Sequence, residues 1–148
     1  MSRQIIGILA AIILGGSLVA CAKEPPKPGP NATLYERLGG KPAIEAVVDD
    51  FLGNVAANPE INFFFANSDI GKLRGHLVAQ VCEASGGPCK YTGRDMPTTH
   101  KGMAITERQF NSMGADMQKT LVKFHVPDRE QKELLTLLGS LQKDIVGK

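Results

Sequence analysis

The segment Thr98-Thr99-His100-Lys101-Gly102 is followed, after Met103-Ala104, by Ile105-Thr106-Glu107-Arg108-Gln109. It sets a histidine just ahead of a strong helix start. Thr106, with Gln109 three residues on, forms a capping box. Phe110, Met113, Met117, Leu121 and Phe124 then recur at intervals of three and four, the spacing of one helical face. A second histidine, His76, lies on another such face, among Ile70, Leu73, Leu77 and Val81. Two histidines so placed in a small helical chain suggest an iron held between helices. Each is equally accounted for, taken alone, as a satisfied core or surface residue.

Outward from this segment the helical pattern continues. Thr33-Leu34-Tyr35-Glu36 is another capping box, and Gly39-Gly40 ends the short helix it starts. Pro42 suits the first position of the next helix. Along it Ile44, Val47, Val48, Phe51, Leu52 and Val55 form a wide apolar stripe, which Asn58-Pro59 closes. Ile61 to Phe65 carries three consecutive Phe residues, too many aromatics for a free loop. Asp69 can cap the helix that carries His76, and Ser85-Gly86-Gly87-Pro88 stops it. Cys89 to Pro97 reads as loop. Pro127 breaks the helix begun at Thr106, and Leu134, Leu138, Leu141 and Ile145 mark a last amphipathic helix. No alternating strand pattern occurs. The expectation is an all-α domain of four substantial helices and several short ones.

The chain has 148 residues and a net charge of +2, with both signs mixed along it. That length suits one domain with one core. No basic block with interleaved aromatics occurs, which argues against a nucleic-acid partner. Residues 1–20 read as an export signal: a short positive start, then an uncharged apolar run from Ile5 to Ala20. Its ending, Leu18-Val19-Ala20-Cys21, resembles the bacterial lipoprotein signal, in which cleavage leaves the Cys as an acylated first residue. Residues 21–32, with four prolines between Pro25 and Pro30, read as a stiff tether. The globular domain is expected over 33–148, held at a membrane outside the cytoplasm.

Taken in order, the landmarks Leu34-Tyr35-Glu36-Arg37-Leu38-Gly39-Gly40, Phe64-Phe65, Leu73-Arg74-Gly75, Gly86-Gly87-Pro88, Tyr91-Thr92-Gly93 and His100-x-Gly102 resemble the group I truncated haemoglobins. These are small globins whose main helices pack two over two around haem. The resemblance covers Leu34 to about Val146. It implies that His100 is the proximal ligand of haem iron and that Phe65, beside Phe64, packs on the porphyrin. It makes Leu52, Leu73 and Leu77 the three distal positions, near Phe51, and Met96, Ile105 and Phe110 apolar haem contacts. His76 matches a position where some members place a second iron ligand. Cys-x-x-Cys-His is absent, so the cofactor implied is haem b.

At Leu52, Leu73 and Leu77 many relatives carry Tyr or Gln, which hydrogen-bond bound oxygen. Three Leu residues imply an apolar distal side, unfavourable to tight oxygen storage and to dioxygenase chemistry that needs a stabilised oxy complex. Cys82 and Cys89 flank Gly86-Gly87-Pro88. Their spacing does not match a zinc knuckle, and in an exported domain they are expected to form a disulfide. His125, ahead of Pro127, reads as structural, meeting a helix dipole. The expected function is a monomeric haem protein of the cell envelope that binds a diatomic gas or cycles electrons from an unknown donor. Ligand binding is favoured over turnover of nitric oxide or peroxide. A haem carrier, or a haem-free helical lipoprotein acting as an interaction module, are the alternatives.

Overall fold

The computed structural model describes residues 29–148, and no strand occurs among them. The expected signal, Cys21 and most of the tether lie outside the described residues. Four substantial helices form the body: α2 (Gly40–Ala57), α3 (Ile70–Ala84), α5 (Glu107–Lys123) and α6 (Asp128–Gly139). Short elements link them: α1 (Leu34–Arg37), a 3₁₀ turn (Asn62–Phe65), α4 (Met96–His100) and α7 (Gln142–Ile145). α2 packs on α3 and on α5, and α5 on α6. The result is the all-helical two-over-two arrangement. No helix among the described residues is long and apolar enough to cross a membrane.

Both capping boxes form. Glu36 N–H donates to Thr33 Oγ1 at 3.2 Å, and Thr33 N–H to Glu36 Oε2 at 2.8 Å. Gln109 N–H donates to Thr106 Oγ1 at 3.3 Å, and Thr106 N–H to Gln109 Oε1 at 3.0 Å. Each satisfies two of the amide donors that a helix start leaves free. Asp69 caps α3 through Lys72 N–H at 3.1 Å.

Three details depart from expectation. α2 begins at Gly40, so Pro42 sits third in the helix, because Gly39, at φ 96°, supplies the turn. The loop after Cys89 ends early. Asp95 accepts from Thr98 N–H at 2.8 Å and starts α4 at Met96, with Pro97 in the first turn, where its missing N–H costs nothing. The last helix is two. Ser140 N–H caps onto the Thr136 carbonyl at 3.0 Å while its hydroxyl donates to Leu137 O at 2.7 Å, just after the weak helix former Gly139. α7 can therefore turn away from α6.

The core lies where α2 crosses its neighbours. Ile44, Val47, Val48, Phe51 and Val55 meet Val78, Val81 and Cys82 of α3, and Met117 and Leu121 of α5, with Leu134 of α6 beneath. Fully buried side chains such as Phe51, Leu121 and Leu134 contribute about 1.5–3 kcal/mol each. A polar clasp crosses this core. Asn54 Nδ2 donates to Thr120 Oγ1 at 2.8 Å, and the Thr120 hydroxyl donates to Asp50 Oδ2 at 3.1 Å. Lys123 pairs with the same carboxylate. The Lys123 ammonium, above all, holds the Asp50 carboxyl below its ordinary pKa, against the desolvation that would raise it. The buried hydroxyl of Thr120 is thereby satisfied.

Cys82 and Cys89 are joined as a disulfide. Closing so short a loop contributes about 2–3 kcal/mol in the chain-entropy model. The turn it closes has room only for glycine at position 87, where a Cβ would lie 2.5 Å from Tyr35 Cδ2.

Candidate functional site

One large apolar cavity, of about 640 Å³, lies between α3, the segment leading to α4, α5 and the α6–α7 end. His100 stands on its wall as the last residue of α4. The His100 Nδ1–H donates to the Met96 carbonyl, one helical turn back, at 2.8 Å. A carbonyl can only accept, so this bond fixes the tautomer. In the neutral ring the proton is therefore on Nδ1, and Nε2 keeps a free lone pair. A neutral imidazole oriented through its other nitrogen is what a metal ligand on a helix end requires.

The walls are apolar. Phe51, Phe64 and Phe65 come from α2 and the 3₁₀ turn, and Leu73 and Leu77 from α3. Met96, Met103 and Ile105 flank His100 in sequence, and Phe110, Met113 and Met117 close the α5 side. Leu135, Leu138, Leu141 and Ile145 complete the floor, which the break between α6 and α7 lets wrap round. His76 is on the wall too, but exposed at its edge, its ring 5.8 Å from that of Tyr91 and steeply inclined to it.

One expected member is absent. Leu52 does not line the cavity; it is half-buried and packs against the core. The preceding residue, Phe51, is on the wall and only 2% exposed. Successive helix residues diverge by about 100°, so the two cannot share one direction, and the larger ring takes the interior one. The distal wall near Leu73 and Leu77 is apolar without help from Leu52. His125 is remote from the cavity wall. It is exposed just beyond α5, left-handed at φ 53°, and its N–H donates to Val122 O at 3.0 Å. It closes the helix through its backbone N–H.

Gln80, Tyr91 and Arg94 also face the cavity and were not among the expected site residues. Gln80 was accessible to helix spacing, one turn beyond His76 and Leu77. Its Nε2 lies 3.6 Å from Met96 Sδ, so it bridges α3 to the His100 helix. Arg94 adjoins the Tyr91-Thr92-Gly93 landmark and is, among the described residues, the only Lys or Arg on the wall. The Tyr91 hydroxyl donates to the Arg94 carbonyl at 2.8 Å. Burial pushes the Tyr91 phenol above its ordinary pKa, so it stays protonated at neutral pH.

The residues fit a haem. The slot is broad and apolar, with a pre-oriented imidazole on one wall and a guanidinium at the rim for carboxylates.

Comparison with known proteins agrees. The bacterial-like globin family model matches residues 33–146. The group 1 truncated haemoglobin of Mycolicibacterium paratuberculosis is 32% identical over 114 residues, covering 77% of this chain and 84% of that protein. That of Nostoc commune is 32% identical over 117 residues, covering 79% and 99%. Among solved structures, the truncated haemoglobin of Tetrahymena pyriformis in its Fe(III) form superposes with a TM-score of 0.77 at 31% identity, covering 79% of this chain and all of that one. The 2/2 haemoglobin of Synechococcus sp. PCC 7002, in the cyanomet state with covalently attached haem, gives 0.73 at 31% identity, covering 78% and 98%. With its two-over-two helices and a histidine-bearing apolar slot, the chain belongs to the bacterial-like globin family, among the group 1 truncated haemoglobins.

Proposed function

We propose that this globin holds one b-type haem and binds a diatomic gas at a cell-envelope membrane, with His100 as the proximal ligand and His76 as the second. As a truncated haemoglobin the chain is a haem- and gas-binding globin. When bound, haem supplies an iron centre that takes a diatomic ligand and exchanges electrons. The observation that carries the reading is the His100 Nδ1–H bond to Met96 O at 2.8 Å, which leaves Nε2 free on a cavity of about 640 Å³.

The chain's own residues do the rest. Phe64, Phe65, Leu73 and Leu77 exclude water from the slot. Arg94 offers a planar, permanently charged fork for a haem carboxylate. Leu73 and Leu77 offer no hydrogen bond to a bound gas. Oxygen, which gains most from a donor, gets no such help against carbon monoxide at such a wall. The absence of a Cys-x-x-Cys-His motif favours the non-covalent b-type group. The test is an absorption spectrum of the purified chain in ferric, ferrous and CO-bound states. One haem per chain, with a pyridine spectrum of b type, is expected; a chain that takes up no haem would refute the proposal. Rapid loss of haem to an apoglobin would favour a carrier instead.

The envelope location rests on the apolar run Ile5–Ala20 and its ending Leu18-Val19-Ala20-Cys21. Several acyl chains on one cysteine, at about 0.8 kcal/mol per buried methylene, hold a protein firmly on a membrane surface. Mass spectrometry of the membrane-extracted protein should find a chain starting at acylated Cys21. An intact Met1, or an unmodified Cys21, would exclude the anchor.

A further inference from the structure

The Cys82–Cys89 bond sits between the two parts of the site. Cys82 is fully buried near the end of α3, the helix of Leu73, His76 and Leu77. Cys89 is half-buried and opens the segment that leads to α4 and His100. Their Cα atoms are 5.7 Å apart. The turn between them is tight: Gly87 N–H donates to Cys82 O at 2.7 Å. Two residues past Cys89, Tyr91 N–H donates to Glu83 Oε2 at 3.0 Å, which ties the segment to the residue next to Cys82. Tyr91 then folds back. Its hydroxyl bonds Arg94 O, and its ring fills the space beside Gly93, where a Cβ would lie 2.4 Å from the phenol oxygen. In that position the Tyr91 ring meets His76 edge-on, with centroids 5.8 Å apart and planes at 68°. A covalent strap thus leaves the end of α3 and returns to the same helix at His76.

We infer that Tyr91 is a positioning residue for His76, that the Cys82–Cys89 disulfide holds Tyr91 in place, and that the access of His76 to the haem iron therefore responds to the redox state of this bond. The inference rests on the reading of His76 as a second ligand. His76 divides its time between the edge contact with Tyr91 and the iron. A contact made in only one of two arrangements shifts their balance by its own free energy. A small-molecule or protein dithiol is the co-reactant. Two electrons and two protons pass from it to the Cys82 and Cys89 sulfurs, giving two thiols, and the reductant closes its own disulfide. Residues 89–91 then keep the non-covalent ties alone, through Glu83 and through the Tyr91 hydroxyl to Arg94 O. The Tyr91 contact weakens, and His76 spends more time on the iron. An aromatic edge contact of this kind corresponds to a change of about 2- to 10-fold.

The test uses the full haem-loaded chain, oxidised and after dithiol treatment, beside Cys89→Ser, Tyr91→Leu and His76→Ala. In the CO-bound form, where His76 is off the iron, its ring protons should be shifted by the Tyr91 ring. That shift should disappear on reduction, in Cys89→Ser and in Tyr91→Leu. CO binding should slow by about 2- to 10-fold on reduction, and neither Tyr91→Leu nor His76→Ala should retain that redox difference. His76 signals and CO rates that ignore reduction, with both thiols shown free, would overturn the inference. Signals that respond to reduction, with CO rates that change neither on reduction nor in His76→Ala relative to wild type, would overturn the ligand reading of His76 and leave the strap contact standing.

Discussion

His100→Gly should lose most of its bound haem and regain it when imidazole is added. The expectation follows from how His100 is held. Its Nδ1 proton is engaged by the Met96 carbonyl at 2.8 Å, so the side chain spends one nitrogen on orientation and offers the other to the cavity. No other histidine is on the His100 side of the slot; His76 belongs to α3 and His125 lies off the wall. The substitution leaves the fold's supports in place. His100 is the last residue of α4, where a glycine costs about 1 kcal/mol at most. The cap on that helix comes from Asp95 and does not involve the imidazole. Loss of haem can therefore be separated from loss of structure by helical circular dichroism on the same sample. Free imidazole has the size of the deleted ring and should restore a bound spectrum. Unchanged haem content and an unchanged spectrum in His100→Gly would remove His100 from the site.

The sequence was most informative where the physics is local. Thr33 with Glu36 and Thr106 with Gln109 bond within four residues, so their geometry is written in the spacing. The slot around His100 was expected from the resemblance that the order of landmarks carries, and spacing alone did not distinguish it from a satisfied histidine. Rotation about a helix axis is a different matter. Phe51 and Leu52 belong to one apolar stripe, and both were expected at the site; only packing from α3 and α5 selects Phe51 for the cavity and leaves Leu52 beside the core. Met113 and Met117 show the same limit from the other side. Their spacing marks them as buried, yet the same face of α5 serves both the core and the haem slot. The three Phe residues divide as the resemblance implies, although the bare aromatic run does not say which of them turn inward. Phe64 and Phe65 turn inward, while Phe63 remains 54% exposed, its ring 4.3 Å from that of Phe64. The Gln80–Met96 bridge and the Tyr91 contact to His76 join residues from separate elements, and nothing in either segment alone announces them.

His76→Ala should convert a low-spin spectrum to a high-spin one and accelerate CO binding. Leu73, His76 and Leu77 lie within roughly 100° of arc on an ideal helix. All three line the cavity, so His76 leaves α3 from the edge of the face that looks on the slot. The neighbours that could anchor a competing ligand are weak ones. Leu73 and Leu77 have no donor, and the Gln80 amide is turned to Met96 Sδ. The Tyr91 hydroxyl proton is already given to the Arg94 carbonyl, and Tyr91 meets His76 through a T-shaped ring contact. An imidazole nitrogen within reach of iron has a stronger partner there than at the Tyr91 edge, which is worth about 0.5–1.5 kcal/mol. His76 should therefore occupy the iron for most of the time, and an incoming gas must wait for it to leave. A preference of about 1.4 kcal/mol for the His76-bound arrangement leaves roughly one chain in ten open and slows capture about ten-fold. Removing the imidazole should release that full factor. The measurement is flash or stopped-flow CO binding to the ferrous protein, read with the ferric and ferrous spectra of wild type and His76→Ala. A wild-type protein already high-spin and five-coordinate when ferrous, with CO rates indifferent to His76, would leave His76 at its Tyr91 edge and make this an open-site globin with an apolar distal wall.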